Sequence, residues 1–137
     1  MKRILLDTNV LLDLVLNRPG FIEDAKQLFL AIDEKRFIGF MSATTVTDIY
    51  YIATRERNRL FAALALRRLV CALEIIAVDK NVILPALDSP IKDFEDAVQA
   101  EIARLAELDF IVTRNKRDFL NAPVPAVSPE ELLAKLI

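Results

Sequence analysis

The chain has 137 residues, 54% of them hydrophobic, and its 18 basic and 20 acidic side chains leave a net charge of −2. That length suits one domain, expected to span residues 1–137, and the near balance of charge excludes strong nucleic-acid binding through net charge alone. Histidine is absent and cysteine occurs once, which excludes a Cys/His zinc site and a Ser-His-Asp triad and leaves carboxylates for any acid–base chemistry.

Apolar segments of strand length alternate with segments whose apolar residues recur at helical spacing. Five segments predict strands, and they read RILLDT, FIGFMS, LEIIAVD, DFIVT and the start of VPAVSPEELLAKLI. The predicted helices cover 9–17, 21–36, a segment from a Ser42 or Thr44 cap to about 53, 60–72, 80–87, 93–108 and the carboxyl end. This alternation predicts parallel βαβ units, and hence a three-layer α/β/α fold with a central, mainly parallel sheet of four to five strands.

No segment of the sequence suits a membrane or secretion. Leu60–Val78 is long and apolar, but two arginines and Glu74 interrupt it. Asp7 ends the amino-terminal apolar run too early for a signal peptide. The single cysteine, Cys71, has apolar neighbours and is expected in the core, and its lack of a partner fits a reducing compartment. We therefore expect a cytoplasmic protein that makes no membrane contact.

Polar residues follow the predicted strands at the point where each strand ends. Asp7 ends the first strand, Ser42 follows the second, and Thr113, Asn115 and Asp118 follow the fourth. Ligands of open parallel sheets bind beyond the carboxyl ends of the strands. The sequence therefore places a candidate site at this rim, although Asp7 by itself would also suit a helix cap or a turn.

The segment DFEDAVQA places three carboxylates within four positions at the start of a predicted helix. Asp93 suits the N-cap, and a carboxylate at Asp96 is favoured by the helix dipole. Alanines follow Asp96 at helical spacing, and this small-residue face would let the helix approach the sheet and bring Asp96 to the rim. Glu95 is expected to point elsewhere, into solvent.

Asp48 and Asp118 each suit a structural role as well as a functional one. Asp48 lies about one turn into a predicted helix, where an acid interacts favourably with the helix dipole. Asp118 could pair with Arg114 or Arg117 in a surface turn. Several carboxylates a few Å apart, however, stay ionised only if a cation neutralises them. An oxygen-only site of this kind suits Mg²⁺ or Mn²⁺, which can activate water and polarise a phosphoryl oxygen.

Three motifs, LLDTNVLLDLV, DFEDAVQA and FIVTRNKRDF, occur in this order along the chain. The chain thereby resembles the PIN domain over essentially its whole length, and within that family it is similar to the small single-domain proteins related to VapC toxins. The resemblance implies a metal-dependent ribonuclease that cleaves RNA phosphodiester bonds with Mg²⁺ or Mn²⁺ as cofactor. It also implies a homodimer, and a toxin of a type II toxin–antitoxin pair that is silenced by a cognate antitoxin.

The resemblance also assigns roles to individual residues. Asp7 and Asp96 would be the metal ligands, with Asp48 and Asp118 as further catalytic acids. Two positions depart from the family pattern: Asp48 stands where most members carry Glu, and Asn115 is neutral where a late acid is expected, unless Asp118 takes that place. The residues that would support the ligands are Thr8, Asn9, Asp93, Thr113 and Asn115. The residues that would hold RNA phosphates are Arg114, Lys116 and Arg117.

Two alternative functions stay open. The first is that of a non-catalytic binding module, which keeps the fold and uses its acids only as caps. The second is that of a phosphatase of the haloacid dehalogenase type, with Asp7 as its nucleophile. Such enzymes want a second Asp two residues further on, and position 9 here is Asn, so the sequence favours the metal-dependent nuclease.

Overall fold

The computed structural model describes residues 1–136, and within them it has five strands and seven α-helices. The strands are Lys2–Leu6 (β1), Phe37–Ser42 (β2), Glu74–Ile76 (β3), Phe110–Val112 (β4) and Ala126–Val127 (β5). The helices are Thr8–Val15 (α1), Ile22–Asp33 (α2), Ala43–Glu56 (α3), Arg59–Ala72 (α4), Lys80–Leu87 (α5), Phe94–Leu105 (α6) and Pro129–Ala134 (α7). A 3₁₀ helix, Lys116–Phe119, follows β4. None of the helices within residues 1–136 is long and apolar enough to cross a membrane.

All five strands are parallel and form one sheet in the order β3-β2-β1-β4-β5. β1 is therefore the central strand, and Ile4, Leu5 and Leu6 within it are fully buried. Ile4 and Leu6 pack with residues of α1, α2 and α7 on one face of the sheet. Leu5 packs with residues of α5 and α6 on the other face. The predicted three-layer α/β/α fold with a parallel central sheet is confirmed.

Helix α6 stops at Leu105 rather than near Leu108, where the sequence predicted its end. Glu107 has a φ of 55°, in the left-handed region. The amides of Glu107 and Leu108 donate to the carbonyls of Arg104 and Ala103. This hydrogen-bonded reversal closes the helix end and turns the chain towards β4.

The expectation that Cys71 lies in the core was wrong, because the structure exposes it. Cys71 is on α4, whose buried residues are Ala62 and Leu69. Two positions along a helix correspond to a rotation of roughly 200°, so Cys71 faces away from Leu69. The apolar neighbours of Cys71 in sequence therefore do not report its burial.

Candidate active site

Asp7 lies at the carboxyl end of the central strand, where several contacts fix it. Its amide donates to the carbonyl of Val112 at 3.0 Å, which continues the pairing of β1 with β4. Its carboxylate caps α1 and accepts a hydrogen bond from the amide of Thr8 at 2.9 Å. The hydroxyl of Thr113 donates to the other carboxylate oxygen at 2.8 Å. Asp7 is therefore a helix cap and a member of the rim at once.

The start of α6 has the arrangement predicted from the sequence. Asp93 is the N-cap, and its carboxylate accepts a hydrogen bond from the amide of Asp96 at 3.0 Å. The alanines that follow Asp96 are buried, namely Ala97, Ala100 and Ala103. These small side chains let α6 pack against the sheet, and Asp96 lines the pocket at the edge of the sheet.

Glu95 is exposed, as expected, but the expectation that it points away from the other acids was wrong. It lines the same cavity as Asp96 and as Asp48 of α3. Hydrogen bonding to Asp48, followed by burial and the negative charge of Asp48, raises the pKa of Glu95 to about 8. Glu95 therefore adds a longer acidic side chain beside Asp48, the position at which the resemblance implies Glu.

The acids line one cavity of about 430 Å³, here called the acidic pocket. Most of the site residues predicted from the sequence line it, namely Asp7, Thr8, Asn9, Asp48, Asp93, Asp96, Asn115 and Asp118. Glu95, Leu12 and Ile52 complete its lining. Thr113 is fully buried and reaches the pocket through its hydrogen bond to Asp7.

Negative charge accumulates in the acidic pocket. Burial, and then the charges of Asp93, Asp7 and Asp118, raise the pKa of Asp96 to about 7. Burial also raises the pKa of Asp7, although the hydrogen bond from Thr113 acts in the opposite direction. Within residues 1–136, no Lys or Arg forms a salt bridge with any carboxylate of this pocket. The pocket therefore favours an added cation.

The donor atoms of the acidic pocket suit a hard divalent ion. They are the oxygens of carboxylate, hydroxyl and amide side chains, which Mg²⁺ and Mn²⁺ prefer. Within the part of the chain that the structure describes, no three acidic or thiol side chains converge closely enough to hold an ion by themselves. Such an ion would therefore complete its coordination with water, as Mg²⁺ commonly does.

The sequence profile of the PIN-domain family matches residues 3–117. The chain belongs to the PIN-domain family. The match covers β1 through the start of the 3₁₀ helix and so includes every residue that lines the acidic pocket apart from Asp118. A comparison of the sequence with curated proteins finds no significant match.

Solved structures that share the fold of this PIN domain include toxins of toxin–antitoxin systems. A toxin–antitoxin complex from Klebsiella pneumoniae is 26% identical, with a TM-score of 0.69 over 92% of this chain and 97% of that one. VapBC2 from Rickettsia felis, bound to a DNA fragment from its promoter, is 17% identical, with a TM-score of 0.72 over 92% and 98%. VapC20 from Mycobacterium tuberculosis, a sarcin-ricin loop cleaving toxin, is 16% identical, with a TM-score of 0.66 over 79% and 86%. These likenesses show that the chain shares its fold with toxins of toxin–antitoxin systems.

A second cavity, of about 620 Å³, adjoins the acidic pocket of the PIN domain and is here called the basic cavity. The three basic residues predicted to hold RNA line it, namely Arg114, Lys116 and Arg117. Asn115 and Asp118 line both cavities. A chain of phosphates that crossed this boundary would meet cations on one side and the acids on the other.

Two of the three basic residues already have acidic partners. Lys116 forms a salt bridge with Glu131 at 2.8 Å, and both side chains are about half exposed. Arg114 forms a salt bridge with the buried Asp13, also at 2.8 Å. Arg117 is exposed and forms no salt bridge within residues 1–136. The structure therefore leaves Arg117 as the cation of this group most accessible to a ligand.

Sequence reasoning missed Gln99 and Thr45, which support the acidic pocket of this PIN domain from below. Gln99 is buried in α6 and donates to Asp7 and to the hydroxyl of Thr45, both at 3.4 Å. The hydroxyl of Thr45 also lies 2.9 Å from that of Thr8. The sequence pattern could have identified Gln99, because it follows Asp96 by about one turn on a helix face otherwise made of alanine. A long polar side chain on a buried face needs a polar partner.

Proposed function

We propose that this PIN domain is a single-domain, metal-dependent ribonuclease that acts in the cytoplasm as the toxin of a type II toxin–antitoxin pair. The observation that carries the proposal is the acidic pocket, in which acids from separate segments surround the carboxyl end of the central strand. A pocket that favours a cation, beside a basic cavity, suits the cleavage of a polyanion. The shared fold of a sarcin-ricin loop cleaving toxin supports the same class of activity.

The proposed cofactor is Mg²⁺ or Mn²⁺, with Asp7 and Asp96 as its ligands. Asp48 with Glu95 on one side, and Asp118 on the other, would orient water in the remaining space of the pocket. When bound, the ion supplies a Lewis acid that lowers the pKa of water and stabilises charge on the attacked phosphate. This chemistry replaces the general base that a chain without histidine lacks.

The remaining site residues orient the ligands and the substrate. Thr113 holds one oxygen of Asp7, so that the other oxygen keeps a fixed direction. Asp93 holds the first turn of α6 and with it Asp96. Arg117 would bind a phosphate beside the cleaved bond, because its side chain is exposed in the basic cavity.

The proposal is tested first by calorimetric titration of Mn²⁺ into the purified protein. Wild-type protein is expected to bind the ion, and Asp7→Asn and Asp96→Asn are each expected to weaken binding by at least about tenfold. Asp33→Asn serves as the control, because Asp33 is exposed and does not line the acidic pocket. Folded wild-type protein that binds no Mn²⁺ at millimolar concentration would contradict the proposal.

Ribonuclease activity is tested on total cellular RNA, with sequencing of the newly formed 5′ ends. Sequencing is needed because a toxin that cuts one site leaves most RNA intact. New ends are expected with wild-type protein and Mn²⁺, and not with EDTA or with Asp7→Asn. New ends that form equally with Asp7→Asn would come from a contaminating nuclease.

A non-cleaving binding module is the second candidate function. It is favoured by the neutral Asn115 and by the raised pKa of Glu95 beside Asp48, which together reduce the negative charge available to a metal ion. Such a module would bind RNA equally well before and after the Asp7→Asn substitution. It would produce no cleavage dependent on Mn²⁺.

The proposed partners are an antitoxin and a second copy of the chain. An apolar groove of about 500 Å³ lies between α1, α2 and α4. Leu30 and Leu64 are about half exposed along it, which suits an apolar segment of an antitoxin. Leu64→Glu is expected to weaken capture of a co-expressed antitoxin without changing Mn²⁺ binding. Light scattering of the purified chain tests the homodimer.

A further inference from the structure

Asp13 is a buried carboxylate that does not line the acidic pocket. It lies on α1, six positions after Asp7, and only 2% of its surface is exposed. A buried carboxylate is costly unless cations or hydrogen-bond donors neutralise it. The partners of Asp13 therefore indicate what its burial is for.

Arg114 is the main partner of Asp13, and it comes from the other end of the chain. Its Nε lies 2.8 Å from one carboxylate oxygen, and its second terminal nitrogen donates to the other oxygen at 3.2 Å. The guanidinium also stacks on the ring of Phe21, 3.9 Å from the ring centre. One hydrogen bond and one close ionic contact to the same carboxylate, together with stacking, restrain the guanidinium of Arg114. Arg18 lies further away, at 3.5 Å, and is more loosely held.

Arg114 begins the segment that carries Asn115 and Asp118 into the acidic pocket. Thr113, directly before it, donates to Asp7 and also accepts a hydrogen bond from the amide of Asn115 at 3.0 Å. The amide of Asp118 in turn donates to the carbonyl of Asn115 at 3.0 Å. The segment is therefore attached at two points, through Thr113 to Asp7, the N-cap of α1, and through Arg114 to Asp13 within α1.

We propose that the ion pair between Asp13 and Arg114 is a positioning device that holds segment 115–118 against Asp7 and thereby sets the geometry of the acidic pocket. Asp13 is a positioning residue in this arrangement, because it acts only through Arg114. The role of the pair towards a metal ion rests on the proposed function, whereas its role in holding the segment does not.

The structure favours this role of Arg114 over the RNA contact expected from the sequence. The guanidinium of Arg114 is engaged by Asp13 and by Phe21, and its side chain is only 26% exposed. A residue bound in this way offers little to a phosphate. RNA binding that falls with Arg114→Gln but is kept by Arg114→Lys, with the segment undisturbed, would instead assign Arg114 to the substrate.

The first measurement is Mn²⁺ affinity by calorimetry for wild type, Asp13→Asn and Arg114→Lys. Asparagine keeps the shape of Asp13 without its charge, and lysine keeps the charge of Arg114 without its two-point contact. Both variants are expected to bind Mn²⁺ about tenfold more weakly, the usual effect of removing a group that orients a ligand. Arg104→Gln is the matched control, since it removes an ion pair of a half-exposed arginine that lines neither cavity, and it is expected to change affinity less than about twofold.

The second measurement uses metal-free protein and amide hydrogen exchange by NMR. Asp13→Asn is expected to speed exchange at Asn115 and Asp118 about tenfold, while amides of β1 and β2 keep their protection. Unchanged exchange at these two amides in folded Asp13→Asn and Arg114→Lys would overturn the proposal. Loss of protection throughout the sheet in both variants would also overturn it, because the pair would then be a general stability element. Wild-type protein that fails to bind Mn²⁺ contradicts the proposed function alone, and the exchange result still decides the positioning role.

Discussion

Asp7 and Asp13 lie six positions apart, and both are buried, yet their surroundings are opposite. Asp13 is surrounded by Arg114 and Arg18, at 2.8 and 3.5 Å. Asp7 lines a cavity with further acids, and it forms no salt bridge within residues 1–136. The fold thus neutralises one buried carboxylate with its own side chains and leaves the other without a cation.

This difference separates a structural acid from a functional one. Burial of a charge costs free energy in both places, because water is replaced by a medium of lower polarity. At Asp13 an internal ion pair offsets that cost. At Asp7 hydrogen bonds from Thr113 and Thr8 offset only part of it, and the pKa stays raised. An acid that a fold buries without a partner is a candidate ligand for a cation from outside.

The comparison is tested most directly by making the same substitution at both positions. Asp13→Asn is expected to lower the free energy of unfolding by only about 1 kcal/mol, because the two arginines that lose their counter-charge are partly exposed to water. Asp7→Asn is expected to leave it unchanged or to raise it in metal-free protein, because an amide oxygen can still accept from Thr113. Urea unfolding at pH 7.5 with EDTA measures both, with Asp33→Asn as the exposed control. Equal losses of unfolding free energy in Asp7→Asn and Asp13→Asn would contradict the division into a structural and a functional acid.

An added cation should neutralise the carboxylates of the acidic pocket, as Arg114 neutralises Asp13. Mn²⁺ at one hundred times its dissociation constant is expected to raise the free energy of unfolding by about 2.7 kcal/mol. Asp96→Asn is expected to show almost none of this gain at the same concentration. The measurement is urea unfolding with and without Mn²⁺. A gain that persists in Asp96→Asn would place the ion elsewhere.

The stability of the metal-free protein should depend on pH, because the acids of the acidic pocket are crowded together. The pKa values of Glu95 and Asp96 are raised to about 8 and about 7, so the folded state binds protons more tightly than the unfolded chain between about pH 4 and 8. Stability from these groups is therefore present at low pH and is lost as pH rises through 7 to 8. The melting temperature is expected to fall by a few degrees from pH 5.5 to 8.5. Asp96→Asn and Glu95→Gln should flatten this slope, and an unaltered slope in both would contradict the assignment.

The smallest effect is expected at the exposed ion pair of Lys116 with Glu131. Hydrogen bonds from Lys116 and Ser128 to the carboxylate of Glu131 lower the pKa of Glu131 to about 2. The stability that this group contributes is therefore present above its ordinary pKa of 4.5 and is lost as pH falls towards 2. Solvent screens such a pair, so Lys116→Gln should change the melting temperature at pH 7 by only about 1 °C. A drop as large as that of Asp13→Asn would show that exposure does not separate the two ion pairs.

Local patterns predicted the sheet and most of the acidic pocket. Strand ends and a capped helix start are properties of short segments, so Asp7, Asp93 and Asp96 could be placed from their neighbours alone. The direction of the Glu95 side chain could not be predicted in this way, because it depends on how α3 packs beside α6 and brings Asp48 within reach. The pairing of Asp13 with Arg114 could not be predicted from local patterns either, since 101 positions separate the two residues in the chain. An aspartate within the apolar run NVLLDLVLN was nevertheless a sign that a distant cation would be needed.

The central place of β1 in the sheet has a consequence for synthesis on the ribosome. The hydroxyl that holds Asp7 belongs to a residue 106 positions later, at the end of β4. A nascent chain therefore exposes its first acid long before it contains the groups that fix that acid in place. Unfinished chains consequently lack the assembled pocket, which forms only when most of the sequence has left the ribosome and folded.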